Sequence, residues 1–117
     1  MWNSFGAATR GIRYALRNEQ NFRVQVYIAL LVGFSAWVLQ LRMYERIIVV
    51  LLIMWILALE LLNTVIEKFL DVVHPRLHTH VEVIKDIMAA VVCVSAFGAA
   101  CIGIMIFLPH IIELFVQ

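Results

Sequence analysis

Long apolar stretches separated by short polar ones make up most of this chain, and they predict membrane-spanning helices. A helix of about 20 mostly apolar residues is long enough to cross the hydrocarbon core of a bilayer. The clearest stretch, residues 87–108, contains no charged side chain; as a helix it would be about 33 Å long. We therefore predict an all-α membrane protein with three transmembrane helices, over about residues 24–41, 47–70 and 84–108. Residues 43–46 are predicted to form a very short turn, so that the first two spans are an antiparallel pair.

The amino-terminal residues have a different, amphipathic periodicity. At about 100° per residue, apolar side chains fall on one side of a helix and arginines on the other. The apolar side holds Phe5, Ala8, Ile12, Ala15 and Leu16, and the opposite side holds Arg10, Arg13 and Arg17. This pattern predicts a surface helix over about residues 3–18 that lies in the headgroup plane of the membrane. A helix packed on the protein itself has the same pattern, and both interpretations can hold together.

Composition supports a single membrane domain. Of the 117 residues, 64% are hydrophobic and 15% are charged, and the mean hydropathy is +0.96. Soluble domains are typically about 45–50% apolar and about 25% charged, so one small water-soluble domain is excluded. The net charge of +1 gives no reason to expect a nucleic-acid partner.

Basic residues are distributed unevenly around the predicted spans. Four arginines precede the first span, and Lys68, Arg76 and Lys85 lie at or beside the second connection. Only Arg42 and Arg46 lie in the first connection, and no Lys or Arg follows the third span. Because positive charge favours the cytoplasmic side, we predict a cytoplasmic amino terminus and a cytoplasmic second connection.

A stripe of polar residues along the second span is the main candidate for chemistry. Glu60, Asn63, Glu67 and Asp71 are spaced by three, four and four residues, which places them on one helix face. Glu60 is embedded in apolar sequence, and an ionisable side chain in a span is by default a functional-site hypothesis. Glu67 lies about 10 Å nearer the cytoplasmic end. The stripe therefore connects the membrane interior with water.

Further charged residues are expected at the same cytoplasmic level, namely Glu19, Lys85 and Asp86. Carboxylate oxygens suit Mg²⁺, which usually completes its shell with waters and nucleotide phosphates. A carboxylate at the depth of Glu60 is placed to take a proton from a lipid hydroxyl. Two alternatives remain open: a proton or ion path along the stripe, and polar side chains that only hold helices together.

Two sequence blocks resemble the prokaryotic diacylglycerol kinase family, which includes the undecaprenol kinases. The first block is residues 11–15 (GIRYA) with residues 18–23 (NEQNFR). The second is residues 60–67 (ELLNTVIE), followed by Asp71 and by the pair Lys85-Asp86. The resemblance runs from about residue 5 to residue 109. At residues 84 and 88 the chain has isoleucine and methionine, where the family tends to have smaller side chains.

The resemblance implies an ATP-dependent lipid kinase without a Walker motif. It implies a homotrimer in the bacterial inner membrane, with sites shared between protomers and facing the cytoplasm. The reaction would transfer the γ-phosphate of MgATP to the primary hydroxyl of undecaprenol or diacylglycerol. Residues 21–23 and 106–109 are more similar to the undecaprenol kinase branch. A non-enzymatic membrane assembly and an inactive relative are the alternatives.

The same resemblance implies a role for each site residue. Glu60 would be the general base, and Asn63 would orient that base or the γ-phosphate. Glu19 and Glu67 would bind Mg²⁺. The implied nucleotide contacts are Glu19, Glu67, Arg76, Leu77, His78, Lys85 and Asp86, and the implied lipid contacts are Glu60, Phe22 and Arg23.

The second connection also contains His74, His78 and His80. A metal site is the alternative, but we expect loop histidines, because Pro75 interrupts the helix that would align His74 with His78.

Overall fold

The computed structural model describes residues 2–76 and 78–116, and in this part of the chain every regular element is a helix. Helix α1 is Trp2–Asn18, α2 is Gln20–Val38, α3 is Met43–Val73 and α4 is His78–Val116. Helices α2, α3 and α4 are long and apolar enough to cross a membrane. The prediction of an all-α membrane protein with three spanning helices and an amino-terminal helix is confirmed.

Two of these helices are longer than a bilayer requires. Helix α3 has 31 residues and α4 has 39, so they are about 46 Å and 58 Å long, against a hydrocarbon core of about 30 Å. Helix α4 continues through Pro109 to Val116. Beyond the proline, His110 Nε2 lies 3.0 Å from Glu45 Oε1 in the first turn of α3. This contact ties the two helices together at one end of the molecule.

The turn predicted at residues 43–46 is wrong, because those residues form the first turn of α3. The connection between α2 and α3 is residues 39–42, where Gln40 has a positive φ of 53°. The main-chain N–H of Arg42 donates to Glu45 Oε1 at 3.0 Å. This bond satisfies one of the free donors at the start of the helix, so α3 begins directly after Arg42.

The interior is small, as expected for a single chain whose helices face lipid. One buried cluster joins α2, the connection, α3 and α4, and consists of Ala36, Leu41, Val49 and Ile106. Most large apolar side chains of the spanning helices are exposed on the single chain. On membrane helices such side chains contact acyl chains or other helices.

Helix α1 packs against α2 and α3. At this contact Ala15 and Phe22 are buried, with 1% and 3% of their surfaces exposed. The ammonium of Lys68 on α3 lies 5.4 Å from the ring centroid of Tyr14 on α1. The amphipathic helix thus packs partly on the protein itself, and its place in the headgroup plane stays a prediction.

Candidate active site

Glu60 is the only charged side chain that is buried in the described part of the chain, with 5% of its surface exposed. It lies in the middle of α3, and Thr64 Oγ1 donates to its main-chain carbonyl at 3.1 Å. No described hydrogen-bond donor acts on its carboxylate. A buried acid without a partner is costly, so its retention needs a reason other than stability.

A cavity of about 260 Å³ lies beside Glu60, between α3 and α4. One residue from α2, four from α3 and five from α4 line it: Asn21, Glu60, Asn63, Ile66, Glu67, Lys85, Met88, Ala89, Val92 and Cys93. The sequence-based candidates Glu60, Asn63, Glu67 and Lys85 therefore share one cavity.

Asn63 and Glu67 are joined by a hydrogen bond within α3. Asn63 Nδ2 donates to Glu67 Oε1 at 3.3 Å. The four-residue spacing places the two side chains one above the other on the helix, so the amide holds one oxygen of the carboxylate. The amide of Asn63 therefore contacts Glu67, and its expected role in orienting Glu60 or the γ-phosphate stays a prediction.

Glu19 lies at the junction of α1 and α2, where it is the residue before the first turn of α2. Its carboxylate does not cap that helix, although capping is a common use of an acid at this position. The negative charges of Glu67 and Glu19 both act on Glu60. Three acids this close together repel one another, so a cation or a proton between them is favoured.

The donor set around the cavity fits a magnesium ion that arrives with phosphate. Carboxylate and amide oxygens are hard ligands of the kind that Mg²⁺ prefers. Within residues 2–76 and 78–116, no group of three or more His, Cys, Asp or Glu side chains is arranged to hold a metal ion by itself. One or two carboxylates with phosphate oxygens and waters would complete the shell.

The other residues expected to contact the nucleotide do not line this cavity. Arg76, His78 and Asp86 are exposed, and Leu77 lies outside the described residues. His78 Nδ1 lies 2.9 Å from His74 Nε2, and His78 Nε2 lies 3.2 Å from Glu82 Oε1. The expectation of loop histidines is wrong for His78 and His80, which lie in the first turn of α4. The turn at residues 74–76 brings His78 beside His74.

Neither Phe22 nor Arg23 lines the cavity. Phe22 is buried where α1 packs on the bundle. Arg23 Nη1 donates to the main-chain carbonyls of Leu16 and Arg17, each at 3.0 Å. Lipid contact by these two residues stays a prediction.

Sequence reasoning missed several residues of the cavity wall. Asn21 is a polar side chain at the start of an apolar span, and that signal was present in the sequence. Met88, Val92 and Cys93 follow Lys85 at helical spacing, but their types are ordinary for a membrane helix. Only the packing of α4 on α3 shows that they face Glu60.

Comparisons with known proteins agree with this arrangement. The family model of prokaryotic diacylglycerol kinase matches residues 6–107. The undecaprenol kinase of Bacillus subtilis is 37% identical over 110 residues, which are 94% of this chain and 89% of that protein. The diacylglycerol kinase of a Synechocystis strain is 31% identical over 114 residues, which are 97% of this chain and 65% of that protein. This chain thus belongs to the prokaryotic diacylglycerol kinase family of membrane lipid kinases.

Proposed function

We propose that this lipid kinase transfers the γ-phosphate of MgATP to the primary hydroxyl of a membrane lipid alcohol, at the cavity beside Glu60. The observation that carries the proposal is the buried, unpartnered carboxylate of Glu60, which faces a cavity shared with Glu67 and Lys85. A buried base in contact with a lipid hydroxyl accounts for an acid that costs stability.

In the proposed reaction, Glu60 takes the proton of the lipid hydroxyl as the oxygen attacks the γ-phosphorus. The new P–O bond forms on the lipid, the bond to the bridging oxygen breaks, and ADP leaves with that electron pair. The proton on Glu60 then returns to water through the cavity. Little covalent chemistry falls to the protein, so catalysis consists mainly of positioning and charge neutralisation.

Charge neutralisation is assigned to the shallower part of the cavity. Lys85 would pair with phosphate oxygens, and Glu67 would bind Mg²⁺ together with Glu19, which lies at the junction of α1 and α2 and does not itself line the cavity. When bound, the metal would offset negative charge on the β- and γ-phosphates. The hydrogen bond from Asn63 to Glu67 supports this assignment, because an oriented carboxylate binds a metal more tightly than a free one.

The hydrocarbon chain of the substrate has a matching surface. A largely apolar groove of about 560 Å³ runs between α2, α3 and α4. Its wall includes Leu57, one turn from Glu60 on α3, and Ala96, one turn from Cys93 on α4. A lipid with its hydroxyl at Glu60 would place its chain in this groove.

We further propose undecaprenol as the preferred substrate and diacylglycerol as the second candidate. The sequence identity to an undecaprenol kinase is higher than the identity to a diacylglycerol kinase. The match also covers a larger share of the undecaprenol kinase. The proposed setting is a homotrimer in the bacterial inner membrane, with the amino terminus and the active site on the cytoplasmic side. The uneven distribution of Lys and Arg supports this orientation.

The test is phosphate transfer from γ-labelled ATP in mixed micelles that contain undecaprenol, diacylglycerol or neither. We expect labelled lipid with undecaprenol, much less with diacylglycerol, and none after chelation of Mg²⁺. Absence of labelled lipid with both alcohols would refute the proposal. Nucleotide-independent proton flux in liposomes that Glu60→Gln abolishes would favour the proton path instead.

A further inference from the structure

The corner between α1 and α2 consists of a single residue, Glu19. Helix α1 ends at Asn18 and α2 begins at Gln20, and Glu19 between them has an extended conformation with φ −113° and ψ 107°. The direction of its side chain therefore depends on how the two helices meet. A change in this angle would move the carboxylate relative to Glu67 and Glu60.

Arg23 holds this corner from both sides. Its main-chain N–H donates to the carbonyl of Glu19 at 3.2 Å. Its Nη1 atom, which carries two N–H groups, donates to the carbonyls of Leu16 and Arg17 at 3.0 Å each. Those carbonyls belong to the last turn of α1, where the helix offers no partner of its own. One residue of α2 thus bonds both to Glu19 and to the helix before it.

The remaining contacts of the corner fix the backbone of Glu19. The N–H of Glu19 donates to the carbonyl of Ala15 at 2.9 Å, so both of its peptide groups are bonded. Ala15 and Phe22 are buried on either side of it. Its carboxylate, in contrast, caps no helix. The backbone at Glu19 is therefore fixed, while its carboxylate makes no capping bond and lies close enough to the Lys68 ammonium for their charges to interact.

From this geometry we propose that Arg23 is a positioning residue, which fixes the α1–α2 corner so that the Glu19 carboxylate is held toward Glu67 for magnesium binding. The inference rests on the proposed kinase function and refines it. Lipid contact by Arg23 stays a separate prediction, because the guanidinium has further N–H groups on Nη2 and Nε.

The test begins with Arg23→Gln in the full-length protein in detergent micelles, with Arg13→Gln as the matched control. Arg13 is exposed on α1 and loses the same charge. Electron paramagnetic resonance measures the half-saturating Mn²⁺ concentration, at which half of the protein has bound Mn²⁺. A non-hydrolysable ATP analogue is present throughout. We expect the half-saturating Mn²⁺ concentration to rise about tenfold in Arg23→Gln, as for loss of an orienting partner, and to be unchanged in Arg13→Gln.

A double-mutant cycle shows whether Arg23 acts through Glu19. Glu19→Gln alone is expected to raise the half-saturating Mn²⁺ concentration, and adding Arg23→Gln should change it by less than about twofold. Independent effects that multiply in the double variant would overturn the proposal. The proposal would also be overturned if Arg23→Gln left the half-saturating Mn²⁺ concentration unchanged and raised the KM for the lipid.

Hydrogen exchange gives a readout that needs neither metal nor turnover. Without nucleotide, the amides of residues 15–23 should exchange at least about fivefold faster in Arg23→Gln, because two hydrogen bonds to a charged donor are lost. Unchanged exchange there would contradict the structural part of the proposal.

Arg23→Lys provides a variant for the case in which Arg23→Gln does not fold. It keeps the charge but loses the planar guanidinium, and we expect an intermediate rise in the Mn²⁺ concentration with an unchanged lipid KM. A raised lipid KM alone in this variant would overturn the inference. Wild-type protein that binds Mn²⁺ and nucleotide but phosphorylates no lipid alcohol would refute the proposed function and leave the role of Arg23 standing.

Discussion

Glu60→Gln is expected to move activity and stability in opposite directions. The substitution keeps the shape of the side chain and removes its charge and its basicity. Glu60 is 5% exposed, has no described hydrogen-bond donor on its carboxylate, and is close enough to Glu67 and Glu19 to feel their charges. Each of these features makes its charge unfavourable for folding, and each disappears in the variant.

The expected sizes follow from the burial and from the proposed role. A charged side chain in the middle of a span costs about 3 kcal/mol, so a neutral isostere should raise the free energy of unfolding by about 1–2 kcal/mol. A general base contributes about 10²–10⁴ to the rate, and the transfer rate should fall by that factor.

The assay is phosphate transfer with thermal unfolding of the same preparations, and Glu45→Gln is the matched control. Glu45 is also a glutamate of α3 and its side chain is only 12% exposed. In contrast to Glu60, it accepts hydrogen bonds from Arg42 N–H and from His110. Its neutralisation should therefore lower the unfolding temperature and leave activity unchanged.

The reasoning about Glu60 would be refuted by an active Glu60→Gln enzyme, which would remove Glu60 from the role of base. A loss of stability of more than about 1 kcal/mol would show that its charge has a stabilising partner. An equal loss of activity in both glutamine variants would show that the assay reports general damage to the fold.

Further predictions concern contacts around the site. Asn63→Ala removes the donor to Glu67 and should raise the Mg²⁺ concentration for half-maximal activity about tenfold; an unchanged Mg²⁺ titration would refute this role. Tyr14→Leu removes the aromatic partner of Lys68 and should lower the unfolding temperature with kcat unchanged, as measured by thermal unfolding and initial rates. Met88→Ala empties part of the cavity wall and should cost about 2 kcal/mol; the same unfolding assay would contradict this if stability were unchanged.

The helical parts of the site were predictable because a helix fixes which residues share a face. Spacings of three and four residues predict that Glu60, Asn63 and Glu67 lie together, and all three line the cavity. The number of spanning helices followed from apolar length alone. Lys85 also lines this cavity, because the turn after α3 is short and returns α4 beside it.

The parts that depend on side-chain direction or on tertiary packing were not predictable. The long side chain of Arg23 turns back to the preceding helix, and nothing in its sequence position indicates which way it points. The contact between His74 and His78 depends on the turn geometry after α3. Asn21 and Met88 face the cavity only because of how α2 and α4 pack on α3.

The contact between Glu45 and His110 has a mechanical consequence for the far end of α3 and α4. Glu45 precedes Glu60 by 15 residues, which is about 22 Å of helix. The short turn at residues 74–76 joins the same two helices on the other side of Glu60. The spacing of α3 and α4 at the cavity is therefore constrained from both ends, so the width of the cavity is largely set before a substrate enters it.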